Sequence, residues 1–71
     1  MTSKDIGTAI KEARLKQGLS QERLARLADC SWGTVRNIER GDTPNPGAFT
    51  LDAIAGALGL SLDDLVRGGA A

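Results

Sequence analysis

The chain has 71 residues, nine Lys/Arg against nine Asp/Glu, one cysteine and no histidine. This excludes an internal disulfide scaffold and a His/Cys zinc site. With Trp32 and Phe49 as the only aromatics, it also argues against a sheet of base-stacking rings for single-stranded RNA.

A chain this short buries only roughly 60% of the surface its unfolded form exposes, so one domain is expected, with modest stability. No run approaches the ~20 apolar residues of a membrane span. The opening MTSKDIG has no charged-then-apolar signal pattern. With the lone thiol, this sets the expected location in the cytoplasm. Charge is unevenly placed: residues 1–41 hold eight basic and five acidic side chains, and residues 42–71 hold one Arg and four Asp. A net charge of zero therefore still permits one basic face.

Residues 4–17 have the spacing of a helix. Ser3 is the expected N-cap, and Ile6, Ala9, Ile10 and Ala13 share one face. Gly18 ends the helix, Leu19 fills the gap and Ser20 caps the next helix. Residues 21–28 form this second helix with Leu24, Ala25 and Ala28 inward, and Asp29 takes the turn. Ser31 caps a third helix over 32–40, with Val35 and Ile38 inward and Gly41 at its end. After the loop DTPNPG, Asn45 is the expected cap of a fourth helix with Pro46 in its first position. Leu51, Ile54, Ala55 and Leu58 form its apolar stripe. Gly59 ends it, and Ser61 to Asp64 resembles a capping box opening a fifth helix, with Leu62, Leu65 and Val66 closing the core. The expected single domain covers 1–71, with its core at about 4–66 and a frayed tail at 67–71. No strand is expected.

The informative unit is Gln21 to Arg40, QERLARLADCSWGTVRNIER. Two short helices joined by a tight turn make a helix-turn-helix, which restricts certain positions. The fifth must be small and is Ala25; the ninth must accept the turn and is Asp29. The fifteenth and eighteenth must be apolar and are Val35 and Ile38.

Together with LSQERLA at 19–25, IERG at 38–41 and LDAIAGALGLSLDDL at 51–65, this order resembles the phage-repressor-like (Cro/Xre-type) helix-turn-helix proteins. The resemblance runs from about Ile6 to Leu65. It implies an all-α, compact five-helix, lambda-repressor-like domain with the helix-turn-helix at helices two and three. It also implies sequence-specific binding to a double-stranded DNA operator, and regulation of transcription, in most relatives by repression. The expected setting is a bacterial or phage cytoplasm, in association with the nucleoid. The expected partner besides DNA is a second copy, joined through the C-terminal helices.

The resemblance and the motif together assign the DNA-facing residues. Gln21 begins the second helix, where its amide and the helix N-terminus suit a phosphate. Ser31, Trp32, Gly33, Thr34, Arg36 and Asn37 lie at the start and outer face of the third helix, which enters the major groove in this motif. Asn37 suits adenine, and Arg36 suits guanine or a phosphate. Thr34 suits a phosphate or a thymine methyl. Thr43 and Asn45 sit in a loop that lies along the DNA backbone in relatives, and Arg40 and Arg23 are weaker phosphate candidates. Arg14 and Glu39 match a pair that in relatives links the first helix to the end of the third. Here they are expected to form a structural ion pair.

Trp32 and Gly33 depart from the pattern, since relatives usually place polar residues such as glutamine there. Trp32 is open to three readings: contact with a thymine methyl or sugar, burial in a protein partner, or packing on the domain's own surface. Gly33 either lets the backbone approach DNA or serves the turn. Cys30 is expected to pack as a small hydrophobe, and Asp63 and Asp64 to cap a helix. No metal or cofactor is expected. The chain shows no nucleophile–base constellation and no phosphate-cradling glycine loop, so an enzyme is not expected. The competing function is a protein-interaction module on the same fold, antitoxin-like or polymerase-binding.

Overall fold

The computed structural model describes residues 3–42 and 47–66. These form five helices: α1 (Ser3–Lys16), α2 (Gln21–Leu27), α3 (Trp32–Arg40), α4 (Ala48–Ala57) and α5 (Leu62–Val66). Among the described residues there is no strand. α1 packs on α3 and α5, α2 on α3 and α4, and α4 on α5. The inward faces expected of α1 to α4 meet Leu62 and Leu65 of α5 in one core, the side chain of Val66 lying outside what is described. Ile10, Leu24, Val35, Ile54 and Leu65 are its largest fully buried side chains, each stabilising by about 1.5–3 kcal/mol through loss of contact with water. Ile6, Ala13, Leu19, Cys30 and Leu62 pack against it, partly buried. No helix of the described residues is long and apolar enough to cross a membrane.

Two expected helix starts are corrected. Ser3 already lies within α1, so it is not the residue outside the first turn. α4 begins at Ala48 with Gly47 as its N-cap and no side-chain cap bond, so Asn45 is not the cap and Pro46 is not the first helical residue. Asn45, Pro46 and Thr43 lie outside the described residues, as does the tail at 67–71.

The other caps form as their residue types require. Ser20 Oγ accepts from the Arg23 N–H at 3.0 Å, and Ser31 Oγ from the Thr34 N–H at 3.2 Å. At α5 the box is reciprocal: Asp64 N–H donates to Ser61 Oγ at 3.1 Å and Ser61 N–H to Asp64 Oδ2 at 2.9 Å. Each bond satisfies an N–H that the helix itself leaves unpaired.

The four longer helices all end on one device: a residue in the left-handed region, followed by a paired set of backbone bonds back into the last turn. The residues are Gly18, Asp29, Gly41 and Gly59, with φ of 69, 56, 75 and 74°. After α2, Asp29 N–H donates to Arg26 O at 3.2 Å and Cys30 N–H to Ala25 O at 2.9 Å. The chain thereby reverses within four residues, as a helix-turn-helix demands.

Asp29 alone of the four carries a side chain in that conformation, and an L-residue there is disfavoured by about 1–2 kcal/mol, less for Asp than for most. Asp29→Gly should therefore raise stability by up to about 1 kcal/mol, because relief of the turn exceeds the added chain entropy of glycine. A urea melt followed by Trp32 fluorescence measures it. The same variant bears on Cys30. Burial, and secondarily the Asp29 carboxylate, push the Cys30 thiol above its ordinary range. The unfolded chain therefore loses that proton first. The associated stability is complete below the ordinary thiol range and declines as pH rises through the folded value. Removing Asp29 should move the thiol titration downward.

Candidate nucleic-acid interface

The interface begins from the way α3 divides its residues. Val35 and Ile38 are buried and hold the helix to the core. Arg36 and Arg40 are exposed on the opposite side, Trp32 is 49% exposed, and Gly33, Thr34 and Asn37 are half-buried. A Cβ placed on Gly33 would meet nothing within 4 Å, so the domain's own packing does not require glycine there.

A chain of polar contacts runs from the core to this face. Arg14 Nε donates to Glu39 Oε2 at 2.7 Å and Arg14 Nη2 to Glu39 Oε1 at 3.0 Å. The pair is buried, with side chains 9% and 2% exposed. Arg14 Nη1 also donates to Leu19 O at 2.7 Å, which fixes the α1–α2 connection. Gln21 Nε2 donates to Glu39 Oε1 at 3.1 Å. Its other amide atom, Oε1, accepts from Trp32 Nε1 at 3.1 Å. The Arg36 guanidinium carbon then stands 5.1 Å from the centroid of the Trp32 ring, within cation–π range. The first residue of α2 thus joins the clamp beneath α3 to the first residue of α3.

The expected ion pair between Arg14 and Glu39 forms, as a bidentate clamp. Gln21 has both ends of its amide engaged, and one amide hydrogen remains for an outside acceptor. Trp32 is tied down at its N–H and flanked by Arg36, in part as its own-surface reading expects, yet half of its surface stays open. Ser31 and Thr34 share a hydroxyl–hydroxyl bond of 2.8 Å, so their first role is to start α3. Arg40 Nε meets Asp42 Oδ2 at 3.1 Å in an exposed pair, which contributes little and exchanges readily.

Sequence reasoning missed three contacts. Gln17 Nε2 donates to Leu58 O at 2.7 Å, tying the end of α1 to the end of α4. Gln21 links Trp32 to Glu39. Gly7 is buried where α1 crosses α3, and a Cβ there would collide with the carbonyl oxygen of Ile38 and stand 2.9 Å from that of Glu39. The i, i+4 spacing of Trp32 and Arg36 was the one available signal for their stacking.

Two short capped helices, a four-residue reversal and a polar outer face on the second helix define a helix-turn-helix domain. The chain belongs to the HTH_3 helix-turn-helix family, whose pattern matches residues 10–65. That family comprises DNA-binding regulators of transcription, not enzymes. The immunity repressor protein of Bacillus phage phi105 is 41% identical over 61 residues, which cover 86% of this chain and 42% of that protein. This chain therefore spans less than half the length of that relative. Among solved structures, the restriction-modification controller protein C.AhdI from Aeromonas hydrophila superposes with a TM-score of 0.84 at 32% identity, over 89% of this chain and 94% of that one. SinR, the Bacillus subtilis master regulator for biofilm formation, solved in complex with DNA, superposes with a TM-score of 0.81 at 31% identity, over 86% and 97%.

Proposed function

We propose that this chain binds a double-stranded DNA operator and regulates transcription as a repressor, with α3 in the major groove. The observation that carries this reading is the α3 face on which Trp32 and Arg36 stand clear of the core while Gln21 and the buried Arg14–Glu39 clamp hold the helix beneath them. The SinR chain that this one matches over 97% of its solved length was solved in complex with DNA. Arg36 and Asn37 are assigned to base edges, and Trp32, Gly33 and Thr34 to close approach at the start of the helix. Gln21, with its remaining amide hydrogen, is assigned to a phosphate, as are Ser31, Arg40, Thr43 and Asn45. The site of action is the cytoplasm, at the nucleoid.

A single module of this size buries only about 600–1,000 Å² on DNA. Two copies on a pseudo-palindrome, with half-sites roughly one helical turn apart, supply the remaining affinity. The face for self-association is assigned to α4 and α5. Phe49, at the start of α4, is 89% exposed, the largest exposure of any big apolar side chain among the described residues, and a second copy would cover it. The same residue supports the second reading, a protein-interaction module whose partner covers α4.

Selection from a random duplex pool at near-physiological salt tests both. An inverted repeat is the expected product, and binding should weaken steeply with added salt as counterions are released. Arg36→Ala and Asn37→Ala should each relax preference at one position of each half-site, by about 1–3 kcal/mol. Absence of enrichment overturns operator recognition and leaves the protein-partner reading.

A further inference from the structure

We infer that Trp32 and Arg36 act as one reading unit, and that it recognises a guanine and a thymine in neighbouring base pairs. This inference rests on the DNA-binding reading above and specifies the chemistry of the site that α3 takes. Arg36 carries the donor fork that matches the O6 and N7 acceptors of guanine. Held over the indole at 5.1 Å, its guanidinium has fewer orientations to lose on docking than a freely solvated one. Trp32 is half open, at 49% exposure, and its Nε1–H is already donated to Gln21. What it still offers is apolar surface. The one apolar group on the floor of the major groove is the thymine methyl. The guanidinium carbon lies 5.1 Å from the ring centroid, between one and two base-pair steps of about 3.4 Å, so the two groups suit neighbouring base pairs. Guanine and thymine side by side satisfy both ends of the unit.

Gln21 is the positioning residue of this unit. Its Oε1 fixes the indole N–H, and its Nε2 is fixed by Glu39 Oε1, which also accepts from Arg14. The ring plane is therefore set from the core and not by the DNA. A Trp at this place without that tether would sample several rotamers, and its contact with a methyl group would be diluted among them.

The test uses the sites recovered from the random pool. The wild-type chain should select guanine beside thymine in each half-site. Replacing that thymine by deoxyuridine removes the methyl group and nothing else, and should weaken wild-type binding about fourfold per half-site, the worth of one buried apolar carbon. Trp32→Ala should bind the thymine and deoxyuridine duplexes equally. Gln21→Leu should fold, as judged by its urea melt, and bring the ratio of the two affinities toward one. Equal wild-type binding to both duplexes, or a Trp32→Ala chain that still discriminates them, overturns the inference while leaving operator binding intact. Discrimination undiminished in Gln21→Leu overturns the tether. A wild-type chain that enriches no sequence overturns the DNA-binding reading itself.

Discussion

Gly7→Ala should destabilise the domain by about 1–3 kcal/mol, the range for forcing an extra carbon into a packed site. Intrinsic propensity points the other way, since alanine in a helix interior is favoured over glycine by about 1 kcal/mol. The geometry decides the sign. The added methyl meets the carbonyl oxygens of Ile38 and Glu39, which belong to the backbone of the last turn of α3 and have no rotamer to escape into. α1 must lift away from α3. That movement loosens Ile10 and Ile38 and pulls directly on the Arg14–Glu39 clamp, whose partners sit on those two helices. Gly56→Ala in α4 is the control. A Cβ there meets nothing within 4 Å, so propensity acts alone and the variant should gain about 0.5–1 kcal/mol. Urea melts of the two variants measure both signs. A Gly7→Ala chain as stable as Gly56→Ala would show that α1 and α3 do not approach as closely as the structure has them.

The contrast between these two glycines marks where the sequence is readable. Both lie inside helices and neither breaks its apolar pattern, so nothing local separates them. Gly7 is set apart by contacts more than thirty positions away in the chain, and those depend on how α1 crosses α3. Gln17 is similar: nothing local distinguishes it from other polar residues after a helix, yet its side chain donates to Leu58 O at the end of α4. What was legible is governed by neighbours in sequence. Ser20, Ser31 and Ser61 stand where hydroxyls satisfy first-turn N–H groups. Asp29 and three glycines stand where a helix turns back. The apolar spacings of 3 and 4 placed the core residues of all five helices. The failures at Ser3 and Asn45 have a local cause as well. Thr2, Ser3 and Asp5 lie close together at the start of the first helix, and Thr43 and Asn45 lie among two prolines before the fourth, so several residues are reasonable caps until packing selects the turn that buries Ile10 or Leu51. The candidate site divides the same way. Its membership followed from the motif and the family resemblance. The tether from Glu39 through Gln21 to Trp32 did not, because Gln21 must satisfy two partners on α3 that lie 11 and 18 positions away.

The clamp beneath the site supports the largest expected effect. Arg14→Met or Glu39→Leu alone should each lose about 3–5 kcal/mol, because each leaves the other charge buried without its partner. Exposed ion pairs are worth at most about 1 kcal/mol. The difference lies in burial, since only 9% and 2% of these two side chains remain exposed. For a domain of this size, a loss of 3–5 kcal/mol is a large share of a total near the lower end of the usual ~5–15 kcal/mol. The single variants should therefore be partly unfolded at 25 °C. The double variant Arg14→Met/Glu39→Leu should recover most of the loss, because two apolar side chains of similar volume fill the space without an unpaired charge. It should not recover all of it. Leu19 O and the Gln21 amide, both part-buried, lose their partners, at a cost of up to about 1 kcal/mol each. The double variant then separates stability from function. Its core is rebuilt, but Gln21 is no longer anchored, so Trp32, the chain's only tryptophan, should report a more mobile indole by lower fluorescence anisotropy in a folded chain. Single variants as stable as the wild type would mean that water reaches the pair and that the clamp is not what holds α1 to α3. A double variant no more stable than either single one would mean that the hydrogen bonds to Leu19 and Gln21, and not the paired charges, are what the clamp contributes.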